Sequence, residues 1–261
     1  MRRRLAVSIL AAASLSAAGC GGEKTYDNPE ISEVDRAAAV EQHPLILAEF
    51  GGAFEGPEAR YTAAVGEKVA EAAGLPGQCT FTMVNTDVVN AFAVPGCYIY
   101  VTRGLFALVN SEAELASVLG HELGHIVANH SERRQRRALF SGLGAALIGA
   151  VTGSERLARI AGGAAQLYTL GYSRKQEFES DNLGITYLAR AGYDPYAAAE
   201  MLDALGDHEA LQATATGEDA KSIPGWARTH PLAEDRVARA TAEAEEEGIA
   251  PGELPEREEP Y

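Results

Sequence analysis

At 261 residues the chain is long enough for one large domain with a buried core, or one domain with appendages. Its 46% hydrophobic and 23% charged residues describe an ordinary globular protein. A formal net charge of -15 makes the surface repel phosphate backbones, which argues against nucleic acid as a partner.

Arg2, Arg3 and Arg4 precede a charge-free run of small and apolar residues, Leu5 to Ala18. The run is short and rich in alanine for a membrane span, and reads as the hydrophobic region of a signal peptide. It ends at Ala17-Ala18-Gly19-Cys20, which resembles the bacterial lipobox, whose cysteine is acylated and becomes the mature N-terminus. Ala17 stands where that motif prefers leucine. Residues 1–19 are thus expected to be a lipoprotein-type signal peptide with Cys20 as the lipid attachment; an ordinary secretory signal cleaved nearby is the alternative. With Cys20 acylated, Cys79 and Cys97 remain, and such a pair in an exported protein suggests a disulfide rather than two separate buried thiols.

Residues 20–28 are polar and read as a tether. Ile31 to Phe54 and Pro57 to Ala73 carry helical patterns, and Gly74-Leu75-Pro76-Gly77 breaks the chain. Cys79 to Val84 and Cys97 to Thr102 alternate as strands, with Asn90 to Val94 a third short strand stopped by Pro95-Gly96. Pairing of the first and last of these would bring the two cysteines together. Ser111-Glu112-Ala113-Glu114 is a capping box opening a helix to about His130, with Leu115, Val118, Leu119, Leu123 and Ile126 as its apolar stripe. Ala116, Gly120 and Gly124 would let a neighbour approach closely. Arg133, Arg134, Arg136 and Arg137 read as its solvated end. The apolar run Ala138 to Val151 reads as a buried or interfacial helix that could also serve as a lid. Arg174 to Ala191 reads as a helix ended by Gly192, and Asp194-Pro195 opens another that stops near Gly206. Asp207 to Thr229 looks like loop, Leu232 to Glu247 like a last amphipathic helix. Residues 248–261 form an acidic tail expected to be disordered.

His121-Glu122-Leu123-Gly124-His125 carries the chemistry. Helical residues four apart sit about 40° apart around the axis, one turn up, so both imidazoles can reach one metal ion. Glu122 projects beside them, where it can take a proton from a metal-bound water. A catalytic zinc site needs a third protein ligand and an open fourth position. His130 lies five residues after His125 and about 140° around the helix, which suits a supporting or surface residue better than a ligand. Glu177 is the better candidate, with Asp181 one turn later to orient a ligating histidine; Glu179, about 200° around, should face elsewhere. His230, before Pro231, could donate to an oxyanion, bind the metal in a resting state, or simply be exposed.

Asn90-Ala-Phe-Ala-Val-Pro-Gly, Tyr98-Ile-Tyr-Val-Thr-Arg-Gly-Leu, the segment from Glu112 to His125, Ser173-Arg-Lys-Gln-Glu-Phe-Glu-Ser-Asp, Gly192-Tyr-Asp-Pro and Thr229-His-Pro together resemble metallopeptidase family forty-eight, over roughly Tyr61 to Ala240. The nearest likeness is to its soluble, lipid-anchored bacterial members of the LoiP type. The multi-span helices of HtpX and the helical repeats of BepA are not evident, and Cys97 stands where the family often has glycine. The resemblance implies an α+β, mainly helical gluzincin fold over residues 29–247, with a small β-sheet beside the active-site helix. It also implies zinc held by His121, His125 and Glu177, with Glu122 as catalytic glutamate and Asp181 as the acid supporting a ligand. His230 becomes a regulator or transition-state donor, and Asn90, Ala91, Phe92 and Ala93 the edge that pairs with an extended substrate. The implied function is an exported zinc endopeptidase. It would be lipid-anchored on the periplasmic or cell-surface side and would cut misfolded or unassembled envelope proteins. The rival is a chaperone-like assembly factor with a latent site.

Overall fold

The computed structural model describes residue 26 and residues 29–134, 171–216, 225–232 and 235–254. The signal peptide, Cys20, nearly all of the tether, the apolar run 138–151, Arg136 and Arg137, and the end of the acidic tail lie outside the described residues. Eight helices and three strands are described: α1 (Glu33–Glu49), α2 (Pro57–Ala72), β1 (Thr80–Val84), β2 (Ala91–Val94), β3 (Tyr98–Thr102), α3 (Arg103–Phe106), α4 (Glu112–Val127), α5 (Arg174–Ala191), α6 (Ala197–Thr216), α7 (Trp226–Thr229) and α8 (Arg236–Glu246). The fold is mainly helical with one small sheet, and no helix among the described residues is long and apolar enough to cross a membrane.

The sheet has strand order β1-β3-β2. β1 runs parallel to β3, pairing Thr80 with Tyr98, and β2 runs antiparallel to it, pairing Ala91 with Val101. β2 is therefore an edge strand. Alternation divides the side chains between two faces. Ile99, Val101 and Met83 join Val65 and Val69 of α2 and Leu115, Leu119 and Leu123 of α4 in the main core. Tyr100, Phe92 and Val84 meet Ala39 and Ile46 of α1 on the other face. Cys79 and Cys97, each one residue ahead of the parallel strands, are joined by a disulfide.

Three expectations need correction. The helix opened by Asp194-Pro195 does not stop near Gly206 but continues to Thr216, so half of the expected loop is helical. A single interior glycine costs a helix only about 1 kcal/mol, and the alanine, leucine, glutamate and glutamine that follow are good helix formers. The arginines after α4 are not all a solvated end: Arg134 is buried with its guanidinium over the Tyr172 ring. Here Asn129, at φ 55°, breaks α4 and turns the chain inward before a fresh helical stretch over 130–134. The start of the acidic tail is likewise anchored, since the Gly252 N–H donates to buried Asp194.

Candidate active site

α4 starts at Ser111, whose hydroxyl accepts the Glu114 N–H at 3.1 Å. Glu114 in turn accepts the Asn110 N–H at 2.7 Å, one residue further back than a standard capping box. The helix is buried continuously from Ala113 to His125. Small residues set its approach to α5. A Cβ on Gly124 would come within 2.8 Å of the Ser180 carbonyl, and one on Gly184 within 2.9 Å of the His121 nitrogen. The two helices cross at that contact, which brings His121 and His125 face to face with Glu177 and Asp181.

His121 Nε2 and His125 Nε2 lie 3.0 Å apart, and Glu177 places its oxygens 3.6 Å from the first and 3.5 Å from the second. His230 comes in from the loop after α7, with Nδ1 3.1 Å from His121 Nε2 and 3.4 Å from Glu177 Oε1. One ligand-type atom from each of these four buried residues falls within 4.8 Å of the others. Bonds of 2.0–2.1 Å to a tetrahedral zinc ion would separate donor atoms by about 3.3 Å, and the observed spacings of 3.0–3.6 Å bracket that value. Glu177 Oε1 accepts no hydrogen bond although it is fully buried. Arg236 lies 2.8 Å from Oε2, in an ion pair whose angles do not make a good hydrogen bond. Burial pushes the Glu177 carboxyl up to about 7. A divalent cation would supply the charge this carboxylate lacks, so the residues fit a metal ion.

The surroundings leave the metal-facing nitrogens bare. His121 Nδ1–H donates to Asp181 at 2.8 Å, freeing Nε2. His130 Nε2–H donates to Glu179 at 3.2 Å, which makes its Nδ1 an acceptor; His125 Nδ1–H then donates to it at 2.8 Å, freeing His125 Nε2. Burial holds His125 well below its usual range and His130 at about 4, so both rings are neutral near pH 7. His130 is accordingly buried and supports a histidine from behind. Glu179 does face away from Glu177, as its helical angle predicts, yet its partner is this second layer and not open solvent.

Glu122 has no exposed surface, and neither oxygen accepts a well-formed hydrogen bond. Burial raises it to about 7, against a smaller opposing pull from His230, whose Nε2 is 3.3 Å away. The Ala93 backbone also faces it. Between β2 and this carboxylate is a cavity of about 20 Å³ lined by Phe92, Ala93, Glu122, Arg134, Tyr172 and His230, room for about one water. At the start of β2, Asn90 is buried with its Oδ1 unpartnered, while its main chain is bonded to Thr102.

The family model of peptidase family M48 matches residues 57–244. The chain belongs to peptidase family M48. It is 32% identical over 181 residues to the β-barrel assembly-enhancing protease of Yersinia pestis, covering 66% of this chain and 36% of that protein. It is 37% identical over 125 residues to the mitochondrial metalloendopeptidase OMA1 of Arabidopsis thaliana, covering 48% of this chain and 25% of that one. The human metalloendopeptidase OMA1 is 27% identical over 164 residues, or 59% and 30% of the two chains. The chain thus spans about a third of the length of the bacterial relatives it matches.

Within this M48 site the structure gathers residues that motif reading passed over. Arg236, 1% exposed, donates from Nε and one terminal nitrogen to Asp181 at 2.9 and 2.7 Å while pairing with Glu177. Burial alone would raise Asp181, but Arg236 and His121 outweigh it and hold the carboxyl at about 2. A signal for Arg236 was present: it shares the buried face of α8 with Ala240 and Ala244 at four-residue spacing, an anomalous place for a charge. Tyr172 stacks on His125 with centroids 3.8 Å apart, and Trp226 on His230 at 4.1 Å. Neither sits in a periodic pattern that would have marked it.

Proposed function

We propose that this M48 chain is a zinc endopeptidase in which His121, His125 and Glu177 hold the metal and Glu122 is the general base. The observation that carries the reading is the convergence of ligand atoms from His121, His125 and Glu177, with His230, beside the buried Glu122 carboxylate, whose oxygens accept no well-formed hydrogen bond. Two imidazoles and a carboxylate suit zinc, which would supply Lewis acidity to water and to the scissile carbonyl. An extended peptide adds to the edge of β2 that no other described strand pairs with, along Asn90, Ala91, Phe92 and Ala93. Glu122 accepts a proton from water in the adjoining cavity and returns it to the leaving amine. His230 Nε2, facing the same cavity, donates to the developing oxyanion. Asp181 and the Glu179–His130 pair hold the two ligand rings in tautomer and orientation.

The N-terminal sequence supports export, with lipid on Cys20 anchoring the chain to a membrane, the outer one where the cell has two. Misfolded or unassembled envelope proteins are then the substrates within reach, in keeping with relatives named for β-barrel assembly. A second reading, an assembly factor with its peptidase site held shut, draws on His230 alone. Its Nδ1 stands where a fourth ligand could close the coordination shell.

The test uses purified chain loaded with zinc, its Glu122→Gln and His230→Ala variants, an unfolded model protein and a chelator. Cleavage by the wild type that chelator abolishes, and that Glu122→Gln lowers by about 10²–10⁴-fold with zinc still bound, supports the peptidase and its base. Cleavage that appears only in His230→Ala favours the shut site. No cleavage by any variant with zinc bound overturns the reading.

A further inference from the structure

Next to the metal cluster, at the start of the edge strand, is a solvent-connected cavity of about 250 Å³. Asp87 and Val89 contribute from the approach to β2, Leu205, His208 and Glu209 from α6, and Trp226 from α7. Trp226 ties this cavity to the candidate active site in two ways. Its ring stacks on His230 and lies 5.3 Å from that of His121. Its backbone N–H donates to the Val89 carbonyl at 3.1 Å, fixing α7 to the chain that leads into β2.

Two kinds of surface in the lining bear on a ligand. Val89, Leu205 and Trp226 are apolar, whereas Asp87 and Glu209 bring carboxylates; His208 and Gln212, paired at 3.4 Å, complete the wall. Among the described residues neither carboxylate has a cation at ion-pair distance, and Glu209 is half-buried, with burial raising its pKa and no opposing charge to offset it. A long aliphatic stem ending in a cation satisfies both kinds of surface. The stem covers the apolar wall and the indole face, and the charge meets the carboxylates. A neutral apolar side chain would leave the carboxylates desolvated further, and an anion would be repelled.

Position along the substrate follows from the strand. An added strand that pairs antiparallel with β2, the more stable ladder, runs from Val94 towards Asn90. Its C-terminal half then passes the cavity. Ala93, the β2 residue whose backbone faces Glu122, is four residues from Val89, and at about 3.3 Å per residue that places the cavity ~13 Å along the strand.

We infer that this cavity is a specificity pocket for a lysine or arginine side chain of the substrate, about two to four residues on the C-terminal side of the scissile bond. The inference rests on the peptidase reading and names what that site prefers.

The test uses labelled peptides identical except for arginine or glutamine at each of those positions, and compares the zinc-loaded wild type with an Asp87→Asn/Glu209→Gln double variant. The arginine peptide is expected to show a kcat/KM on the order of fivefold higher in the wild type, with the ratio falling to about one in the double variant. Because each enzyme is judged by its own ratio, a general loss of activity in the variant does not mimic the result. A ratio of one in the wild type, or a preference that survives the double substitution, overturns the pocket. Wild type that cleaves neither peptide sinks the peptidase reading instead. The pocket is then read by fluorescence anisotropy of the same peptides on Glu122→Gln protein with and without the double substitution. A Kd ratio that vanishes with the two carboxylates supports it, and equal affinities throughout overturn it.

Discussion

The α4–α5 pair and the segment from Trp226 to Arg236 meet at the same four-residue cluster but are built on different terms. The helix pair carries His121 and His125, and Glu177 and Asp181, at spacings of four on regular helices, with Glu122 next to the first histidine, and contact at Gly124 and Gly184 sets the distance between them. The later segment delivers His230 and Arg236 from 109 and 55 residues away in sequence, counted to His121 and Asp181. There the side chains are placed by buried hydrogen bonds and stacked rings, with little regular backbone. One region presents the candidate ligands; the other sets His230 beside them and Arg236 against the two acids. The lesson is that ligand geometry is local to a helix pair, while the charge balance that lets two acids sit in the core is supplied from elsewhere.

The most severe way to break that comparison is to remove a proposed ligand from the helix pair. Glu177→Ala deletes one of three protein donors, and metal affinity should fall by more than about 10³-fold, judged from the share of a binding free energy of about 10–16 kcal/mol for structural zinc. Equilibrium dialysis with metal analysis reads it directly. Wild-type affinity in this variant would move the third ligand to His230, whose Nδ1 is the next donor in range.

Next in size is Arg236→Met, which tests the other region without replacing a proposed ligand. The substitution keeps most of the packing volume and leaves Glu177 and Asp181 buried without their cation, so unfolding free energy should drop by about 3–5 kcal/mol. Urea denaturation in the presence of chelator is the measurement. Zinc should recover part of the loss, because the ion itself would face Glu177. A drop within about 0.5 kcal/mol, the usual effect of a surface change, would mean that Arg236 does not carry the charge balance.

The same division explains what the sequence made legible. Helix α5 was readable to its ends, Arg174 and Ala191, because its periodicity runs up to Gly192, a glycine in the left-handed region that terminates it. The strands were readable by alternation, though not their order, since the parallel pairing of β1 with β3 depends on how β2 folds back to the edge. The H-E-x-x-H spacing and the Glu177–Asp181 step are periodic statements, which a helix translates into a shared face. Arg134, Tyr172 and Trp226 had no such translation, and Arg236 had only its four-residue spacing with Ala240 and Ala244. A charge or ring is assigned to a buried site only once its partners are known, and those partners lie on other elements. The extension of α6 past Gly206 failed for the opposite reason: one local breaker was weighed above a long run of helix-favouring residues.

His130 gives the smallest and sharpest contrast, because it opens the helical stretch just after α4 yet behaves like the later segment, acting through partners. Its Nδ1 accepts from His125 only while its Nε2–H donates to Glu179, so the chain Glu179–His130–His125 decides which nitrogen of His125 faces His121 and Glu177. Arg133 pairs with the same Glu179 oxygen at 3.1 Å, which keeps that carboxylate charged and in place. His130→Phe fills the buried space but offers no acceptor, so His125 Nδ1–H loses its partner and the ring its fixed tautomer. Metal affinity should fall by about 10–100-fold, the usual effect of removing such a support, with the global fold kept. The diagnostic is His130→Gln, whose amide can both donate to Glu179 and accept from His125. If Gln recovers most of the affinity and Phe does not, the effect runs through the hydrogen bond. If Phe binds metal as tightly as the wild type, the helix pair needs no such support, and His121 and His125 are oriented by the α4–α5 packing alone.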